Sequence, residues 1–141
     1  MMIRKLFSRT AMVTACLLPL SALADVVVIV HPSVNASGTQ AEAADLFLGK
    51  ASALGGVTLT PVDQESGAAA RATFYEKAAG KNPSQLNAHW SRIVFTGKGQ
   101  PPKALGDDAD VKAAVAKDKS LIGYIDSSAV DSSVKKIITV K

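Results

Sequence analysis

The chain has 141 residues, 48% of them apolar and 20% charged, with a formal net charge of +4. This mixture is too apolar and too weakly charged for a disordered chain, and 10 glycines without a period and a single cysteine exclude collagen-like and disulfide-stapled architectures. Three of the 16 basic residues, Arg4, Lys5 and Arg9, stand in the first nine positions.

A largely apolar run over residues 11–20 follows them, and then Ser21-Ala22-Leu23-Ala24. A basic head, a short apolar middle and a small-x-small end predict a secretory signal peptide over residues 1–24, cut after Ala24. The apolar segment is too short to span a bilayer. Cleavage removes three basic residues and leaves 117 residues with 13 basic and 12 acidic side chains, a net charge of +1. The basic character then belongs to the leader, and no nucleic-acid partner is expected. A periplasmic location follows. Val13-Thr14-Ala15-Cys16 is loosely lipobox-like, so a lipoprotein anchored at Cys16 is the alternative. Without Cys16 the secreted chain holds no thiol for a disulfide, a metal or a nucleophile. Residues 25–141 are expected to form one small domain.

Residues 25–30 read as a strand buried on both faces, because five β-branched residues run from Val26 to Val30 before His31-Pro32. Thr39-Gln40-Ala41-Glu42 is a capping box, and the helix it opens ends at Gly49. Residues 57–62 read as a second strand. A second helix is expected over residues 68–79, closed by Gly80. Asn82-Pro83 opens a third, with Leu86, Trp90 and Ile93 on its buried face. Residues 96–102 form a Gly/Pro loop. A last helix runs from residues 107–108 to 117–119, with acids first and lysines last, as the helix dipole favours. Residues 121–125 and 136–140 are closing strands. Strands alternating with helices argue for an α/β layered domain.

The loop after the second strand is the first candidate site. A helix start offers free amides and a positive dipole end, Gly67 permits close backbone approach, and Arg71 could add a bidentate guanidinium. Alternatively, Arg71 is a surface residue paired to Asp63 or Glu65. Ser33, Ser37 and Thr39 repeat the strand-to-helix geometry, though the capping box already employs Thr39. The Thr96-Gly97-Lys98-Gly99 segment lacks the glycine spacing of a nucleotide-binding loop and reads as a turn. His31 and His89 have no metal-ligand spacing, His89 reads as a packing residue, and no Gly-x-Ser-x-Gly elbow exists. No catalytic residue, metal or cofactor is expected, so the chain does not read as an enzyme.

Several segments resemble a known family. Asp45-Leu46-Phe47-Leu48-Gly49-Lys50 looks like a helix end of phosphate-type periplasmic binding proteins. Pro61-Val62-Asp63-Gln64, Arg71-x-x-Phe74-Tyr75, the run from His89-Trp90-Ser91-Arg92 to Gln100-Pro101-Pro102, and Ile122-Gly123-Tyr124-Ile125 are similar to short secreted proteins described as phosphate ABC transporter substrate-binding-like. The resemblance implies a single three-layer α/β lobe of the PstS-like, type 2 periplasmic binding fold, with a mixed, mostly parallel sheet. It implies binding of phosphate or a similar inorganic oxyanion for ABC-type uptake or sensing. It carries the ligand site onto Ser66, Gly67, Ala68 and Arg71, with Ser37, Gly38 and Thr39 as a looser match. Partners would be an ABC permease or an envelope sensor or receptor, and a homodimer rebuilding a two-lobed cleft is a further expectation. The alternative function is a periplasmic interaction or sensor module that has lost its small ligand.

Overall fold

A computed structural model describes residues 25–141. The predicted leader and Cys16 lie outside the described residues. Strand β1 (Val26–Val30) is followed by helix α1 (Gln40–Phe47), the two-residue strands β2 (Ala53–Leu54) and β3 (Val57–Thr58), and β4 (Thr60–Asp63). Helices α2 (Ala69–Ala79) and α3 (Pro83–Phe95) come next, then β5 (Lys103–Ala104), α4 (Asp108–Lys117), β6 (Leu121–Asp126) and β7 (Lys135–Thr139).

Five strands form one sheet in the order β5-β4-β6-β1-β7. Strand β4 pairs in parallel with β5 and β6, whereas β1 is antiparallel to both β6 and β7. Four strands therefore point one way and β1 alone runs against them, which is the mixed, mostly parallel sheet expected. The β-branched run of β1 is buried throughout, and its side chains alternate between two cores. Val26, Val28 and Val30 join α1, α2 and α3 on one face, while Val27 and Ile29 meet α4 on the other. Burying each such side chain contributes about 1.5–3 kcal/mol. Three layers follow from that alternation. On the α4 face Gly123 leaves room for the helix: a Cβ there would stand 2.5 Å from Val111 Cγ1.

The capping signals hold. Thr39 and Glu42 form a reciprocal capping box at α1, Asn82 and Gln85 form one at α3, and Asp107 and Asp110 do so at α4. Residues 57–62 differ from the expected single strand. Gly55 and Gly56 both adopt positive φ, +56° and +84°, and turn β2 back on β3 as a separate small hairpin. The main-sheet strand starts only at Thr60.

Candidate functional site

Strand β4 ends by carrying Asp63 into the interior, where its side chain is 5% exposed. A buried carboxylate must be hydrogen-bonded. Asp63 accepts from the hydroxyls of Tyr75 (2.7 Å) and Tyr124, and from the amide of Gln64 (2.8 Å). Both tyrosines belong to an aromatic cluster: Phe74 stacks on Tyr124 at 4.2 Å between ring centroids and meets Phe47 edge-on at 4.8 Å. Burial, and then the charge of Asp63, push the acidity constants of Tyr75 and Tyr124 well above the ordinary phenol range. Both hydroxyls therefore stay protonated as donors.

Arg71 lies beside this network. Its Nε is 3.5 Å from Asp63 Oδ1, and its Cζ is 5.4 Å from the centroid of the Tyr75 ring. That is cation–π and ion-pair range, yet the buried Nε makes no hydrogen bond. Of the two acids the sequence offered, Asp63 is the partner, and the pair sits in the interior instead of on the surface. Among the described residues no other acid pairs with the guanidinium, so its terminal amino groups keep their donors.

The loop into α2 is pinned at several points. Gln64 Nε2 donates to Asp108 Oδ1 (2.7 Å) and to the Tyr124 carbonyl (2.9 Å), and the amide of Glu65 donates to the Gly106 carbonyl (2.8 Å). The N-cap of α2 is Ala68, with no side-chain cap, and the amides of Gly67, Ala69 and Ala70 have no acceptor in the protein. Unmet amides at a positive dipole end attract anions. Ser66, Arg71, Tyr75 and Lys81 border a recess of about 10 Å³. That holds roughly one oxygen-sized group.

Ser66, Gly67, Ala68 and Arg71 thus come together at one helix start. Ser37, Gly38 and Thr39 do not join them. The Thr39 hydroxyl is engaged with Glu42, and the neighbouring Gln40 donates to the carbonyl of Lys77. Lys77 lies nine residues beyond Ala68, a rise of about 13 Å along α2. Gly67 has no positive φ, and a Cβ there would meet nothing within 4 Å, so the close backbone approach expected of it is not used within the chain. The sequence reading offered Asp63 only as a surface partner of Arg71, and it missed Lys81. Asp63 orients Arg71, and Lys81 reaches the recess because Gly80, in the left-handed conformation at φ +64°, ends α2 and redirects the chain. His89 is a packing residue as read: its Nε2 donates to the Leu48 carbonyl at the end of α1 (2.8 Å).

The α/β layering and the mixed, mostly parallel five-stranded sheet match a lobe of the PstS-like periplasmic binding fold. A structure described as a phosphate ABC transporter substrate-binding protein with bound phosphate, from Clostridium perfringens, superposes with a TM-score of 0.63 at 21% identity, over 81% of this chain and 44% of that one. An ABC-type phosphate transport receptor from Vibrio cholerae gives 0.61 at 16% identity, over 82% and 46%. PstS from Borrelia burgdorferi gives 0.58 at 10% identity, over 81% and 46%. The chain thus spans under half the length of these proteins. No family model and no curated protein matches it in sequence.

Proposed function

We propose that the chain is a periplasmic solute-binding lobe, delivered by its leader as one domain over residues 25–141, that takes phosphate or a similar oxyanion at the start of α2 for ABC-type uptake or sensing. The observation that supports this reading is that the first turn of α2 holds both unmet amides, at Ala69 and Ala70, and the guanidinium of Arg71, paired to Asp63 through Nε. Ser66, Arg71 and Lys81 border a recess beside that turn. One ligand oxygen enters it and the rest stays outside, so the contacts are partly screened. Three contacts, at about 1.5 kcal/mol each for exposed charge-assisted bonds, amount to roughly 4.5 kcal/mol, or a Kd of about 0.5 mM. The reading assigns no catalytic step and no cofactor to these residues.

Isothermal titration with phosphate and with sulfate tests the proposal. Heat from either, lost in Arg71→Ala with the fold intact by circular dichroism, supports it. No heat from either anion at about ten times that Kd removes it. The small recess and the internal partner of Arg71 favour one other reading, a periplasmic interaction or sensor module without a small ligand. Silence in the titration, together with capture of an envelope protein, would select that one. Ser37, Gly38 and Thr39 enter the proposal only as a second, separate contact point, to be tested by Ser37→Ala.

A further inference from the structure

The recess at the start of α2 has one firm wall and one loosely held wall. Arg71 and Tyr75 belong to the firm one. Tyr75 donates to the buried Asp63 at 2.7 Å, Arg71 pairs with the same carboxylate, and the loop before them is anchored through Gln64 and Glu65. Lys81, Pro83 and Leu86 form the opposite wall, and the last two lie in the first turns of α3. With α3 in this position the recess measures about 10 Å³ and takes roughly one oxygen of a tetrahedral anion. The other three stay outside.

Helix α3 is a self-contained body. Its first amides are satisfied by its own Asn82–Gln85 capping box. At its other end the amides of Gly97 and Lys98 donate to the carbonyls of Val94 and Ile93, and the Thr96 hydroxyl donates to the Arg92 carbonyl. Among the described residues, no backbone hydrogen bond and no ion pair joins residues 82–98 to the rest of the fold. One side-chain hydrogen bond does, from His89 Nε2 to the Leu48 carbonyl at 2.8 Å. The buried side chains of α3 are Leu86 and Trp90, and Ile93 packs on the core half-buried. Trp90 also borders an open cleft of about 660 Å³, so the helix has space to tilt. An element held by so few apolar side chains and one exchangeable hydrogen bond opens at low cost.

We propose that α3 is a lid on the recess. It rests closed against Arg71 and Tyr75, and it tilts outward on residues 81–82 and 99–100 to admit the whole anion. Hinges of this kind fall at the ends of elements, and this helix carries its own caps with it, so the tilt breaks no backbone hydrogen bond. The proposal rests on the anion reading above and adds how the site is gated. If the closed form dominates, the apparent affinity is the intrinsic affinity reduced by the open fraction. Loosening α3 at a point remote from the recess should therefore tighten binding, an effect that a merely structural role would not produce.

Calorimetric titration of phosphate into the wild type, His89→Ala and Ile93→Ala tests this, with the fold checked by circular dichroism. Neither His89 nor Ile93 borders the recess. His89→Ala removes one hydrogen bond from the closed form, so the Kd should fall about fivefold. Ile93→Ala should act in the same direction. Trp90 is the sole tryptophan and lies against Gly49, where a Cβ would stand 3.0 Å from its ring. Its quenching by acrylamide should rise in both variants, and in the wild type on addition of about 5 mM phosphate. Equal or weaker affinity in both variants overturns the lid and leaves the anion reading standing. Trp90 quenching that phosphate does not change, with heat still evolved, does the same. No heat in any of the three proteins overturns the anion reading and the lid together.

Discussion

Replacing Asp63 by alanine removes the one acceptor on which Tyr75, Tyr124 and the Gln64 amide converge, and it leaves Arg71 without its counter-charge. Breaking a buried ion pair from one side costs about 3–5 kcal/mol. The orphaned donors would each cost about 1–3 kcal/mol if they acted alone, but they share one carboxylate and do not add. Arg71 retains 18% exposure, and its partial access to water lowers the expectation to about 3 kcal/mol. Domains of this kind hold about 5–15 kcal/mol in total. With a urea m-value of about 2 kcal/mol per molar, the midpoint should fall by about 1.5 M. Trp90 emission follows the transition in a protein with one tryptophan. Tyr75→Phe, which removes one of the three donors and no charge, should cost about 1 kcal/mol. A midpoint change below about 0.5 M in Asp63→Ala would show that the carboxylate does not organise the interior and that Arg71 is positioned by other contacts.

Alkaline pH should expose the same network. The folded acidity constants of Tyr75 and Tyr124 are raised above the unfolded value near 10 by burial and Asp63, so the stabilisation is complete below about pH 10 and is lost above it as the unfolded state ionises first. The loss should be about 1.4 kcal/mol per pH unit for each tyrosine, and urea midpoints at pH 9, 10 and 11 should steepen less in Tyr75→Phe/Tyr124→Phe. Gly123→Ala should cost about 1–3 kcal/mol by thermal melting, because the new Cβ lands 2.5 Å from Val111 Cγ1 on α4. Asn82→Ala should cost about 1 kcal/mol, since the Asn82 side chain accepts from the Gln85 amide (2.9 Å) at the start of α3, and Asn82→Asp should restore it.

Local signals carried most of the fold. The β-branched run of β1 and the three capping boxes are short-range chemistry, and each sits where its residues put it. The break inside residues 57–62 was obscured because Val57, Leu59 and Val62 keep a strand-like pattern across it. Gly55-Gly56 was the available signal, a two-glycine turn that reverses the chain before Val57. Strand β5 is two residues long, and its pairing with Val62 and Asp63 comes entirely from tertiary structure. No periodicity can announce it.

The site was legible in part for a related reason. A helix start after a strand is a local feature, so Ser66, Gly67, Ala68 and Arg71 were found together. Whether Arg71 reaches outward or inward is decided by Asp63, which is held by two tyrosines 12 and 61 residues away. One of these comes from α2 and the other from β6, and only the packed sheet brings their hydroxyls to one carboxylate. The same packing separates the residues at 37–39 from the start of α2, although both segments carry the same local pattern of hydroxyl, glycine and helix start. The proposed anion site is therefore specified in two layers. The sequence motif supplies the amides, and the long-range carboxylate determines whether a cation is aimed at them. For this reason Asp63→Asn is the sharper test of the ligand reading than Arg71→Ala: it keeps every atom that would touch the anion and removes the charge beside Arg71, together with one of the two oxygens that accept from Tyr75 and Tyr124. Phosphate or sulfate heat that weakens in Asp63→Asn, with Arg71 and Lys81 still present, ties binding to that orientation. Heat that is unchanged assigns the anion to the helix amides alone.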